Sequence, residues 1–166
     1  MIVFDSSTMI LLAKADLLDL FISNFHGKVL IPESVMVEVC KERMEESPAI
    51  VKLIKDKKID VVKIKNAIQM KKLMEDFTID RGEAEAIILA LRKDIHVIAT
   101  DDRNAIRACK MLKISFATTI AILVRAFEKN LMDRDSAFIK LQKLQTAGRY
   151  SKAIMNDATK QLKGGG

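Results

Sequence analysis

Ile2-Val3-Phe4-Asp5-Ser6-Ser7-Thr8 opens the chain, and Val97-Ile98-Ala99-Thr100-Asp101-Asp102 has the same make-up in its second half. Each is a short apolar run, suited to a strand, that stops at acids flanked by hydroxyl side chains. Asp, Ser and Thr are the residues that cap helix N-termini. Helical patterning follows in each case. Apolar positions recur at helical spacing from Met9 to Phe21, and Asp102 to Leu112 reads as a helix. A strand that passes straight into a helix is the building unit of a parallel sheet, because parallel neighbours need a long crossover.

Outward from these two units the alternation continues. Lys28 to Ile31 reads as a second strand, and Pro32 occupies the first position of a helix over Glu33 to Met44. Ser47-Pro48 opens a helix to about Lys57, Ile59 to Ile64 is a third strand, and Ile68 to Phe77 is helical. Gly82 precedes a helix from Glu83 to Lys93, and Ile95 to Thr100 is the fourth strand. Ile114 to Ala117 is the fifth, followed by a helix over Ile120 to Asn130. Ser136 to Leu162 is polar-amphipathic and helical, broken at Gly148. This order predicts an α/β fold with a parallel sheet covered on both faces. We divide it into one α/β domain over residues 1–130, a helical extension over 131–163 packed on it, and a tail at 164–166.

At 166 residues the chain is of single-domain length. Hydrophobic residues make up 49% and charged residues 30%, a balance that excludes disorder over most of it. No apolar run reaches the ~18 residues needed to span a bilayer, so no membrane partner is expected. The amino terminus carries Asp5 and Asp16 and no basic segment, which argues against a secretory signal and for a cytoplasmic protein. Cys40 and Cys109 are isolated and read as small buried hydrophobes. His26 and His96 are equally isolated, which leaves a zinc site or a histidine-based triad without support.

The net charge of +6 is unevenly spread, with eight lysines between Lys52 and Lys72. Such a run is a solvated face or a phosphate-binding one. On the second reading Lys57 and Lys58 are the candidates for contacting nucleic-acid phosphates. With one Tyr and no Trp, stacking platforms for bases are scarce, so contacts should fall on backbone phosphates.

In open parallel sheets, ligands bind outside the carboxyl ends of the strands. Asp5, Asp101 and Asp102 fall at such ends, although Asp5 and Asp102 also suit helix caps. Glu38 is crowded by apolar neighbours in Val35-Met36-Val37-Glu38-Val39-Cys40, unless it shares a solvent stripe with Ser34 and Lys41. The fourth cluster is Asp80-Arg81-Gly82-Glu83-Ala84-Glu85, where acids suit the positive end of a helix that then turns fully apolar. Clustered carboxylates repel one another unless hard divalent cations hold them, and Mg²⁺ or Mn²⁺ takes oxygen ligands of this kind. Two such ions about 3.5–4 Å apart activate a water and stabilise the leaving oxygen of a phosphodiester.

VFDSSTMILLAKADLL (residues 3–18), IPESVMVEVC (31–40), DRGEAEAIILAL (80–91) and IATDDRNAIRACK (98–110) together resemble the PIN-domain ribonucleases. That group includes VapC-like toxins of toxin–antitoxin pairs and stand-alone archaeal proteins. The resemblance runs from Met1 to about Thr118 and keeps the family's motif order. It implies a parallel five-stranded sheet sandwiched between helices, with the first strand central. It also implies metal-dependent cleavage of single-stranded RNA that leaves a 3′-hydroxyl and a 5′-phosphate. The catalytic and metal-binding acids would be Asp5, Glu38, Glu83 and Asp102, with Asp101 as neighbour or co-ligand. The chain departs from the family at the third acid, offering GEAEA, so Asp80 and Glu85 stand as alternates to Glu83. Ser6 and Thr100 would hold the carboxylates by hydrogen bonds. An antitoxin protein and a second copy of the chain are the further partners implied. The Ile120–Val124 stretch is apolar enough for a dimer face but reads first as core. GRYS at Gly148–Ser151 also resembles archaeal members, without an assigned role.

Two phosphoryl-transfer rivals fail on single positions. A haloacid-dehalogenase-type phosphatase needs D-x-D, and Ser7 stands where the second Asp belongs. A receiver domain needs paired acids near the first strand and a lysine after the last; here Thr118-Thr119 follow it. The remaining rival is a catalytically silent PIN-like module that binds RNA or a protein, which the GEAEA departure favours.

Overall fold

A computed structural model describes residues 1–41, 45–92, 95 and 97–164. The elements are β1 (Ile2–Phe4), α1 (Ser6–Lys14), α2 (Leu18–Asn24), β2 (Val29–Pro32), α3 (Glu33–Val39), α4 (Ser47–Lys55) and β3 (Ile59–Val62). They continue with α5 (Ala67–Phe77), α6 (Arg81–Ala90), β4 (Val97–Ala99), α7 (Arg103–Met111), β5 (Phe116–Ala117), α8 (Thr119–Glu128), α9 (Arg134–Ala147) and α10 (Lys152–Gly164). All pairings are parallel, in the order β3-β2-β1-β4-β5. The expected parallel five-stranded sheet between helices is present, with β1 at its centre.

Strand alternation sorts side chains onto two cores. Ile2 and Phe4 of β1, with Val29 and Ile31 of β2, face a core completed by α1, α8 and both helices of the extension. Val3, Leu30 and Ile98 face the opposite core, built with α5, α6 and α7. Leu141, Leu144, Met155, Ala158 and Leu162 of α9 and α10 are buried in the first of these cores, so the extension is integral to it. α6 is buried over most of its circumference, which explains the unbroken apolar run Ala86–Ala90.

The element boundaries differ from expectation at identifiable places. The single helix expected over Met9–Phe21 is two, because Asp16 adopts a left-handed conformation (φ 53°) after α1. Pro32 is the last residue of β2 and the N-cap of α3, not its first helical residue. Gly82 lies inside α6, whose N-cap is Asp80. α3 ends at Val39 and α6 at Ala90. The expected continuations through Met44 and Lys93 end outside the described residues, as do His96 and the last two glycines of the tail.

Two contacts fix the helices around the sheet's carboxyl edge. A Cβ at Gly82 would meet Val35 Cγ2 at 3.2 Å, so glycine lets the start of α6 pack closely on α3. Asn104 Nδ2 donates to the Thr78 carbonyl at 3.0 Å and Arg107 Nη2 to the Phe77 carbonyl at 3.3 Å, which ties α7 to the α5–α6 turn. Thr78 itself is left-handed (φ 55°), a strained conformation for a β-branched residue.

Candidate active site

Connections leave β1 toward β2 on one side, while β4 lies on the other, so the sheet's switch point falls between β1 and β4. A crevice opens at the carboxyl ends of strands at such a point. Asp5 ends β1 there, and Thr100, Asp101 and Asp102 end β4. Neighbouring main-chain hydrogen bonds keep the two ends in register, with the Asp5 amide donating to the Ala99 carbonyl at 3.1 Å.

Asp5 is 2% exposed. Its Oδ1 accepts from the Thr8 amide at 2.8 Å and the Ser7 hydroxyl at 3.1 Å, so it caps α1. Its Oδ2 is buried with no hydrogen-bond partner. Burial pushes its carboxyl up to about 6, only partly offset by Thr100 and Thr8, and the Asp101 charge adds to the rise. The supporting hydroxyl on α1 is therefore Ser7 rather than the expected Ser6. Thr100 is fully buried, and its Oγ1 accepts from the Asp102 amide at 3.3 Å.

Asp102 caps α7 through Oδ1, which accepts from Asn104 and Ala105 amides at 2.7 and 2.9 Å. Glu83 forms a capping box with Asp80: the Asp80 amide donates to Glu83 Oε2 at 2.9 Å, and the Glu83 amide to Asp80 Oδ1 at 2.8 Å. Desolvation pushes the Glu83 carboxyl up to about 7, and the negative charges of Asp80, Asp102 and Asp5 push the same way. Asp5, Glu83 and Asp102 thus share one electrostatic neighbourhood at the crevice.

The other acids fall into different surroundings. Asp80 is exposed and spent on the cap. Glu85 is 2% exposed and bound on both oxygens, by the Ser34 hydroxyl at 2.5 Å and Arg81 Nε at 2.9 Å, which bridges α6 to α3. Glu38 is half-buried on α3, one turn beyond Ser34, and has no hydrogen bond or ion pair among the described residues. It does not enter the charge environment of Asp5 or Glu83. Lys57 and Lys58 precede β3, whereas the acids follow β1 and β4. In a parallel sheet that puts these lysines at the opposite edge from the acids.

Asp101 is the opposite case to Asp5. Its Oδ2 accepts from the Thr8 hydroxyl at 2.9 Å, the Thr119 amide at 3.0 Å and the Thr119 hydroxyl at 2.5 Å. Its Oδ1 accepts from the Tyr150 hydroxyl at 3.1 Å. One carboxylate thereby joins β4 to α1, α8 and the extension. None of these three partners was singled out from sequence for this task. The available signals were the hydroxyl pair Thr118-Thr119 after the last strand and the GRYS motif. Gly148 completes that motif sterically, since a Cβ there would stand 2.4 Å from the Tyr150 ring.

The family model described as DUF3368, PIN domain, matches residues 1–164. The chain belongs to the PIN-domain family. The match includes α9 and α10, so the extension is part of what the family model covers. Comparison with curated proteins and with solved structures returns no match. The PIN assignment gives the chain a nuclease-like fold, in a family that generally uses divalent metals. No helix among the described residues is long and apolar enough to cross a membrane.

The residues fit a hard cation on two counts. Asp5 Oδ2 is a buried carboxylate oxygen without a donor, and the acids that share its electrostatic neighbourhood, namely Asp101, Asp102 and Glu83, offer only oxygen. Among the described residues, however, no three His, Cys, Asp or Glu side chains stand close enough together to hold an ion. Glu83 is folded back on its own cap with Asp80.

Proposed function

We propose that this PIN domain is a divalent-metal-dependent endoribonuclease acting on single-stranded RNA. The observation that carries this reading is Asp5 Oδ2, buried and without a partner at the switch point of the sheet. Leaving a buried carboxylate oxygen unpaired costs folding energy that a purely structural cap avoids. Asp5, Glu83 and Asp102 would hold Mg²⁺ or Mn²⁺, with Glu38 the candidate fourth acid on α3. When bound, such an ion supplies Lewis-acid stabilisation of phosphodiester charge and lowers the pKa of an attacking water.

The chain's own contribution is arrangement. Asp5 and Asp102 are fixed by the helix amides they cap, so their second oxygens point from immobile positions. Glu83 must leave its cap on Asp80 to become a ligand, and it must give up the proton that burial and like charges favour. Asp101 holds α1, α8 and the extension around the crevice and acts as a positioning residue. Hydrolysis with a 5′-phosphate product breaks the bond between phosphorus and the 3′ oxygen, which leaves carrying a proton.

A defined single-stranded oligoribonucleotide, incubated with Mg²⁺ or Mn²⁺ and with chelator, tests the proposal. Cleavage is expected only with metal and is lost in Asp5→Asn. Cleavage that survives both chelator and Asp5→Asn would overturn it. The absence of a three-ligand group among the described residues favours a second reading, a catalytically silent module. Tight RNA binding with no metal-dependent cleavage would establish that one. An antitoxin partner remains part of the first reading only, tested by co-purification from a host carrying the neighbouring gene.

A further inference from the structure

A groove of about 600 Å³ runs from the acid edge across the N-termini of α7 and α8 to α10. That volume is in the range of sites that enclose a small organic ligand, roughly 300–1,000 Å³. Arg103 and Arg149 stand on its walls. Both are exposed, and neither has a hydrogen-bond or ion-pair partner among the described residues. The floor is largely apolar, with Ile106, Ile120, Val124 and Ile154, while Asp101 and Asp157 also line it, the first saturated by its donors and the second bonded by Gln161. The Tyr150 ring also lines it, oriented by the hydroxyl's bond to Asp101. Asp101 and Arg103, the chain neighbours of Asp102 on either side, both line it, so the groove begins beside the proposed cleavage site.

We propose that this groove binds the nucleotide of single-stranded RNA adjoining the scissile phosphate, its base on the apolar floor and its backbone phosphate between Arg103 and Arg149. This rests on the nuclease reading for its position but not for its binding chemistry. Guanidinium groups match phosphate oxygens in a fork geometry, and a phosphate supplies the partner that both arginines lack. A nucleobase presents a flat, largely apolar face to aliphatic and tyrosyl surface, and aromatic stacking favours it without sequence preference. Tyr150 is the sole tyrosine of a chain without tryptophan, and it lies in this groove. Arg149, Tyr150 and Ile154 all come from the extension, which therefore forms one wall of a substrate site as well as bracing Asp101.

Fluorescence anisotropy of a short labelled oligoribonucleotide in chelator measures binding without cleavage. The double variant Arg103→Ala/Arg149→Ala is expected to bind at least about tenfold more weakly. Its log–log salt slope should be shallower by about 0.7, for the one phosphate the two arginines share. Ala153→Trp, which fills the groove from an exposed lining position without changing charge, should weaken binding as well. In metal, the loss should fall on KM. Unchanged affinity and slope in the double variant, or no RNA binding by the wild type, would overturn the proposal. So would an acidic peptide that competes while RNA does not, which would make the groove a protein site. Variant-sensitive binding without any cleavage would instead sink the nuclease reading and leave the groove assignment standing.

Discussion

Asp5 and Asp101 end adjacent strands at the same edge, yet their surroundings are opposite. Asp101 accepts from three hydroxyls and a backbone amide drawn from three separate parts of the chain. Asp5 is more deeply buried, satisfied on one oxygen and orphaned on the other. The sheet presents both through the same local geometry, so backbone position does not decide what a carboxylate does. The donors supplied by distant segments decide it. A carboxylate saturated by the protein holds the structure together, while one denied donors is kept for a cation or a proton.

The largest effect should separate these two on activity. Asp5→Asn and Asp102→Asn are each expected to lower the rate of RNA cleavage by about 10²–10⁴-fold while preserving the helix caps. Asp101→Asn should retain measurable activity, because its amide oxygen can still accept from Thr8 and Thr119 while its amide nitrogen donates to the Tyr150 hydroxyl oxygen. Single-turnover cleavage by the three proteins measures this. Equal loss in all three would erase the distinction between ligand and brace.

On stability the order should reverse. Asp101→Ala strands the Thr119 amide and three hydroxyls, at a cost of about 2–4 kcal/mol. For a domain of this size that lowers Tm by roughly 4–16 °C. Asp5→Asn should not lower it in chelator at neutral pH, since the cap oxygen remains and a buried charge disappears.

The same contrast has a pH signature. The folded pKa of Asp5 is about 6 against an ordinary 3.8, so the native state holds the proton more tightly than the unfolded chain. Stability of the metal-free protein should therefore fall as pH rises from about 4 to 6, by on the order of 2–3 kcal/mol. Glu83, raised to about 7, extends the decline to neutrality. Thermal melts in chelator across this range check the sign. Asp5→Asn should show a shallower decline, and metal should restore stability by linkage. A wild type that becomes more stable as pH rises through this window would refute the assignment of Asp5 as an unsatisfied buried acid.

Much of this edge was legible in the sequence because it is local. Strand-then-acid-then-helix is a short-range pattern that marks Asp5 and Asp102 together with the parallel sheet, and acids at the start of an apolar helix mark the Glu83 cluster. Other features depend on partners far away in the chain. Thr8, Thr119 and Tyr150 converge on Asp101 across separations of 93, 18 and 49 residues, which no spacing rule reaches. Nor does composition reveal that Glu85, not Glu83, is the acid locked between Ser34 and Arg81.

The smallest expected effect concerns the brace itself. Tyr150→Phe deletes one donor to Asp101 and keeps the ring packed over Gly148. Asp101 retains its other donors, so the cost should be about 1 kcal/mol, roughly 2–4 °C in Tm. Because Tyr150 is the sole tyrosine and there is no tryptophan, near-ultraviolet absorbance reads this residue alone. Burial and the Asp101 charge hold its phenol well above the ordinary range. The native protein should therefore show no phenolate absorbance at about pH 10, where the denatured chain is half ionised. Since the folded state prefers the protonated phenol, this hydroxyl favours folding below that pH and ceases to do so as pH climbs past it. Native titration coincident with the denatured chain's would mean that Tyr150 is solvated, that the extension is not fastened to Asp101, and that the contrast between the two acids rests on Thr8 and Thr119 alone.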